Sequence, residues 1–331
     1  MLDRLNTSSE KAPLNYFPEL AHLYGEGYFF STSEIHKMSD FMNTFLDTQT
    51  NFEYSVSQMM GESGTEGATI LLLLSRLIAF TFCYNPRGLG PQLDCFHPKT
   101  DRYDQCIEKL NINSTWAVVS LNYDMLFEQA LERKMVPYFY PEIKTTPIGE
   151  LDYLPLYKIH GSINWFPIRP QTLHQPTPTD CQRLKATTGL SYDKNNNRFS
   201  HDFPGIFSSD YDLIYQELVR EGELERCPVL AHFAPRKPVD INFSQIERIR
   251  RDCIQDIKGV KRAFIIGVRP IDQKDDPNLF AIFDNLKGKD VIYVNPDMFA
   301  NKKMNQDFGF AYSPHTFERW LSLVHPSKPL I

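Results

Sequence analysis

Paired cysteines are missing from this chain. Its six, Cys83, Cys95, Cys106, Cys181, Cys227 and Cys253, contain no Cys-x-x-Cys pair. A structural zinc module is therefore not expected, and reduced thiols in a cytoplasmic setting are. Met1 to Glu10 carries no basic stretch ahead of an apolar run, so no signal peptide is expected. The greasiest segment, Ala68 to Phe82, is too short to span a bilayer and contains Arg76, so it reads as a buried helix. Excess positive charge is lacking too. A formal net charge of -6 does not favour broad electrostatic capture of nucleic acid or of an anionic membrane, and no direct binding of either is expected. There is no P-loop, EF-hand or His-Glu-x-x-His motif, and Ser162 does not sit in a nucleophile elbow. No internal repeat or low-complexity tract is seen.

What is present is an ordinary soluble composition. With 42% hydrophobic residues among 331, the chain can bury a full core. Ser33 is placed to cap a helix with Ile35, Met38, Met42 and Phe45 at helical spacing, and 51–60 and 67–83 read as two more helices. A proline- and glycine-rich loop spans 84–103.

From residue 115 onward short apolar, β-branched runs alternate with helical patterns. Strands are expected at Thr115–Leu121, Leu154–Ile159, Pro228–Phe233, Ala263–Gly267 and Val291–Asn295, the last of them closing the series. Helices are expected after Asp124 (Leu126, Phe127, Ala130, Leu131), at 243–257 and at 279–286. Residues 166–226 differ in texture: prolines at 167, 170, 176 and 178, then Asn195-Asn196-Asn197, with one helix near 210–219. They read as an irregular insertion or small subdomain. The fold class expected is α/β, a Rossmann-like parallel sheet flanked by helices, with that insertion.

The strands end in polar residues or glycine: Asn122, His160, Gly267 and Asn295. In an open α/β sheet the carboxyl edge is where ligands bind, so these residues mark one candidate crevice. His160 taken alone would more often be a satisfied core histidine. Its position between a buried strand and Gly161, in company with the other strand ends, turns it into a candidate for chemistry. Asp124 has an equally plain second reading as a helix cap.

In their order along the chain, Leu121-Asn122-Tyr123-Asp124 with Glu128, Lys158-Ile159-His160-Gly161-Ser162 with Trp165, Ile265-Ile266-Gly267 and Asn295-Pro296 resemble the motifs of the sirtuin-like domain. The branch they look most like is the zinc-less bacterial one, whose members hydrolyse NAD in antiphage defence. Pro228, Pro235 and Lys237 resemble that branch's proline-lysine stretch. The resemblance implies NAD as substrate, no metal, and a nucleotide of the NAD or ADP-ribose type as ligand, with a second copy or an effector as partner. It implies that Asn122 holds the attacking water or the nicotinamide ribose. His160 is then the general base or a ribose contact, and Asp124 shapes the nicotinamide pocket. Gly161 and Ser162 belong to the same nucleotide-binding set, and Gly267 and Asn295 face the adenosine half. Arg269 stands where the family has serine, and either replaces a phosphate contact or blocks the pocket.

The family's opening strand and Gly-Ala-Gly-x-Ser turn, which supplies amides to a pyrophosphate, have no counterpart in these residues. The expectation is a single sirtuin-like domain over 1–331 that is truncated before Met1. Its activity is that of an NAD hydrolase, with a catalytically inactive nucleotide-binding sensor or scaffold as the alternative.

Overall fold

A computed structural model of the chain describes residues 101–141, 153–167, 244–273 and 276–324, together with 79, 190–193, 198–201, 204–206, 214, 230, 241 and 242. Most of the helices expected before residue 84 lie outside these residues, as does most of the expected strand 228–233. Ala79 is helical and fully buried; the rest of the expected helix over 67–83 lies outside the described residues. The described residues fall into two compact units. One holds Asn122–Met125 and His160–Ile246, the other Lys99–Leu121, Leu126–Ile159 and Glu247–Ile331.

The second unit is the α/β body. Its elements begin with α1 (Asp101–Leu110), β1 (Val118–Ser120), α2 (Leu126–Arg133), β2 (Tyr138–Phe139) and β3 (Leu154–Lys158). These three strands form a parallel sheet in the order β1-β3-β2, with Val118 opposite Leu156 and Ser120 opposite Lys158. Strand β3 is central, and Leu154, Leu156, Tyr157 and Lys158 are all buried. Its partner β2 ends at Phe139, opposite Pro155. Proline brings no N–H to a ladder, so the shortness of β2 has a local cause.

In the same unit, β9 (Arg262–Ile266), β10 (Asp290–Val294) and β11 (Ala311–Ser313) form a second parallel sheet in the order β11-β10-β9. Arg262 lies opposite Asp290 in the ladder and ion-pairs with it. The helices of this half are α3 (Ser244–Ile257, in this unit from Glu247 onward), α4 (Pro277–Asn285), α5 (Met298–Phe308) and α6 (Phe317–Leu323). Their ends follow from local chemistry. The Asp276 carboxylate accepts from the Asn278 and Leu279 amides ahead of Pro277, the Asp297 carboxylate from Phe299 N, and the Thr316 hydroxyl from Arg319 N. Helix α5 stops at Gly309, whose φ of 75° is a left-handed cap that glycine adopts without strain. Asp276→Ala removes two amide contacts from the start of α4, and a loss of about 1 kcal/mol is expected in urea unfolding.

The aromatic residues, scattered along the chain, meet in space. The rings of Phe127 and Tyr103 (5.8 Å), Tyr103 and Phe317 (6.0 Å), Phe317 and Trp320 (6.3 Å), Trp320 and Phe264 (5.5 Å), and Phe264 and Trp116 (6.1 Å) form a chain. That chain ties α2, α1 and α6 to β9 and to the approach to β1. A second cluster gathers Phe280, Phe283 and Phe310 around Phe308. Lys109 Nζ donates to Leu321 O at 2.7 Å and fastens α1 to the end of α6.

The α/β class, the parallel pairing and the flanking helices match the expectation. Three details correct it. Strand β10 is not the last, since β11 pairs beyond it; β11 has only three residues, with Ala311 and Tyr312 exposed, and so lacks the apolar run that marks a buried strand. The loop expected to reach 103 ends earlier, because α1 begins at Asp101. Finally, 166–226 contains strands as well as Ile214 in a helix. In the first unit β4 (Trp165–Pro167) pairs antiparallel with β7 (Pro204–Ile206), and β5 (Leu190–Asp193) with β6 (Arg198–His201), which also pairs with β8 (Ile241–Asn242).

Candidate active site

The register of β1 on β3 relates the strands that lead into the two candidate motifs. Ser120 is opposite Lys158, so Asn122 and His160 each follow two residues past the same rung. Both motifs leave their strands at this level. His160 sits in a tight turn with 2% of its surface exposed, and Gly161 follows with φ 85°. A residue with a Cβ would be strained at this φ, which accounts for glycine here. Gly161 also forms an isolated antiparallel bridge with the buried Leu230, and Trp165 N donates to Ser162 O at 3.1 Å to close the next turn.

The two loops are bonded to each other. Ile163 N donates to Tyr123 O at 3.1 Å, and Ser162 Oγ donates to the same carbonyl at 3.4 Å. Tyr123 lies between Asn122 and Asp124, so its backbone is the joint that brings the first motif against the second. Asn122 is exposed, Asp124 half-buried, and His160, Gly161 and Ser162 buried. The fully buried Met125 anchors the far end of the Asn122 loop.

Within the α/β unit lies a buried charge cluster. Lys158 Nζ meets Glu128 Oε1 at 2.8 Å, with side chains 0% and 1% exposed, and Tyr140 Oη donates to the same oxygen at 3.1 Å. Arg250 Nε, on α3, donates to Ile159 O at 2.8 Å, the carbonyl of the residue before His160. Tyr157 Oη donates to Asp256, also on α3. Burial foremost, and then that carboxylate, raise the Tyr157 phenol above its ordinary value and keep it protonated.

Gly267, Arg269 and Asn295 belong to the α/β unit. Gly267 is exposed with φ 70°, and an added Cβ would meet nothing within 4 Å. Its constraint is conformational, and the space over it is open to a close approach. Gly267→Ala is expected to lower stability by roughly 1–2 kcal/mol through backbone strain alone, a shift that thermal melting would read. Arg269 is exposed. Asn295 is buried, and its side chain is engaged within the fold. Nδ2 donates to Val268 O (3.0 Å) and Tyr293 Oη (3.1 Å), and Oδ1 accepts from Asp297 N (2.9 Å). Asn295 therefore holds the loop after β9 to the loop after β10.

Residues 117–217 match the family model of the SIR2-like domain. That stretch is similar to a sirtuin-like domain. The matched stretch takes in both bonded loops, with Asn122, Asp124, His160, Gly161 and Ser162, while Gly267, Arg269 and Asn295 follow it in the chain. Among curated proteins none matches the chain.

Within the matched stretch Tyr123 was not among the expected site residues, because its contribution is a backbone carbonyl and leaves no side-chain signature. Arg250 was not among them either. A signal existed there, since Arg250 falls four residues after Ile246 and seven before Ile257, on the buried stripe of α3, and is itself 8% exposed. The thiols are not rival nucleophiles among the described residues. Burial pushes Cys106 and Cys253 each up to about 12, so neither is a thiolate near neutrality. No group of three or more His, Cys, Asp or Glu among the described residues is arranged to hold a metal ion. No described helix is long and apolar enough to cross a membrane.

Proposed function

We propose that this sirtuin-like chain hydrolyses NAD at its nicotinamide glycosidic bond, in the setting of antiphage defence. The observation that carries the reading is the Ile163–Tyr123 hydrogen bond, which joins the loop of Asn122 and Asp124 to the loop of His160 inside the matched stretch. The chemistry suits these residue types. When the bond between C1′ of the ribose and the pyridinium nitrogen breaks, its electron pair neutralises the leaving nicotinamide, so no general acid is required. What remains is to place a water at C1′ and to take its proton. Asn122, exposed beside the turn, holds the water or the ribose hydroxyls; His160 accepts the proton or orients the ribose; Asp124 bounds the nicotinamide.

Gly267, Arg269 and Asn295 serve the remainder of the nucleotide in this reading. The open Gly267 backbone admits close approach, Arg269 offers its guanidinium to phosphate, and Asn295 keeps the two loops in place. The chain is one sirtuin-like domain, with 166–226 an insertion in it. A cytoplasmic location and a second copy or effector as partner complete the proposal.

A second reading, a nucleotide-binding sensor without turnover, is favoured by one observation: no Gly-Ala-Gly-x-Ser turn occurs in these residues. Without its amides a pyrophosphate forgoes charge-assisted hydrogen bonds worth roughly 1.5–3 kcal/mol each. Incubating the protein with NAD and quantifying free nicotinamide and ADP-ribose separates the two. Stoichiometric release of both products is expected. Saturable ADP-ribose binding in calorimetry with no nicotinamide released would establish the sensor reading instead.

A further inference from the structure

The Lys158–Glu128 pair is costly as a stabilising device, because two charges are taken fully out of water and an apolar pair of similar volume would serve stability as well. Tyr140 adds a bond to Glu128 Oε1, while Glu128 Oε2 is buried without a hydrogen-bond partner. What distinguishes the pair is its place. Lys158 is the last residue of β3, two before His160, and Glu128 lies in the first turn of α2, four after Asp124. The pair thus ties the strand that delivers one catalytic loop to the helix that receives the other.

We propose that the buried Lys158–Glu128 pair, steered by Tyr140, is a positioning element that sets the registry of the His160 loop against the Asn122 loop. The inference rests on the NAD-hydrolase reading for its kinetic consequence and on the fold alone for its structural one. Charge attraction with a defined hydrogen-bond geometry selects one arrangement, whereas apolar contacts tolerate sliding; loops in which the Ile163 amide must find the Tyr123 carbonyl need the former.

Three proteins test it: the native chain, Glu128→Met/Lys158→Met, and Tyr140→Phe, which keeps the ion pair and removes one hydroxyl. The double variant is expected to melt close to the native chain. Its kcat for NAD is expected to fall by about 100-fold with KM changed little, because misplacement by an ångström acts on the reacting geometry. The Ile163 amide, bonded to Tyr123 O, is expected to lose protection from hydrogen exchange selectively, while the amides of β10 keep theirs. Tyr140→Phe is expected to move kcat and Ile163 protection the same way by about 3-fold, and it decides the matter where the double variant does not fold. Full kcat and unchanged Ile163 protection in a folded variant would overturn the proposal. If the native chain releases no nicotinamide, the NAD-hydrolase reading fails separately, and Ile163 protection alone still decides the positioning role: selective loss supports it and unchanged protection overturns it.

Discussion

His160→Ala is expected to reduce nicotinamide release from NAD by about 100-fold to 10,000-fold, the range over which a positioned proton acceptor contributes. The magnitude depends on which part His160 plays. As the base that takes the proton from water, its loss removes the only described imidazole in the bonded loops, and neither Tyr157 nor the buried thiols titrate low enough to replace it. As a ribose contact, its loss costs orientation, and the effect sits nearer the lower end. His160→Gln separates these parts, since an amide keeps hydrogen bonding but cannot accept a proton near neutrality. Activity restored tenfold or more over alanine indicates orientation; no restoration indicates proton transfer. Because His160 is buried and follows the fully buried Ile159, each variant should be checked for an unchanged melting temperature. Nicotinamide release at the native rate from folded His160→Ala would remove His160 from the site.

Much of the architecture was legible because it rests on apolar runs. The runs around Leu156, Ile265 and Tyr293 lie on parallel sheets with these three residues buried, and such strands announce themselves without needing any distant partner. What escaped notice shares one physical property: it depends on a neighbour. Strand β2 is two residues long and exists because β3 lies beside it; β11 exists because β10 does. The short strands between 190 and 206 pair with one another, and no periodicity in the proline-rich stretch marks them. The aromatic chain from Phe127 to Trp116 joins residues far apart in sequence, so it has no local pattern.

The same division runs through the candidate site. His160, Gly161 and Gly267 could be picked out because glycine at a strand end carries its own reason, and the φ values of 85° and 70° supply that reason. Asn295 was picked out for its place at a strand end, yet its side chain is occupied by Val268, Tyr293 and Asp297, so it acts by holding backbone in place. Tyr123 was invisible because its part is played by a carbonyl. Lys158 and Glu128 were noted as motif letters with no role attached, since an ion pair across thirty positions becomes visible only when β3 and α2 are folded together.

Lys158→Met alone is expected to be the most destabilising substitution considered, with a loss of about 3–5 kcal/mol in denaturant unfolding. Methionine fills most of the lysine stem's volume, so the cost does not come from a cavity. It comes from Glu128, 1% exposed, left with Tyr140 as its hydrogen-bond donor and no opposing charge. Such a carboxylate sits uncompensated in a low-dielectric site, which weakens the native state. Replacing both partners removes the stranded charge, and Glu128→Met/Lys158→Met should recover most of the loss. Equal stability of the single and double variants at neutral pH would mean that Glu128 is not left uncompensated, and that the pair is less coupled than a 2.8 Å contact between fully buried groups requires.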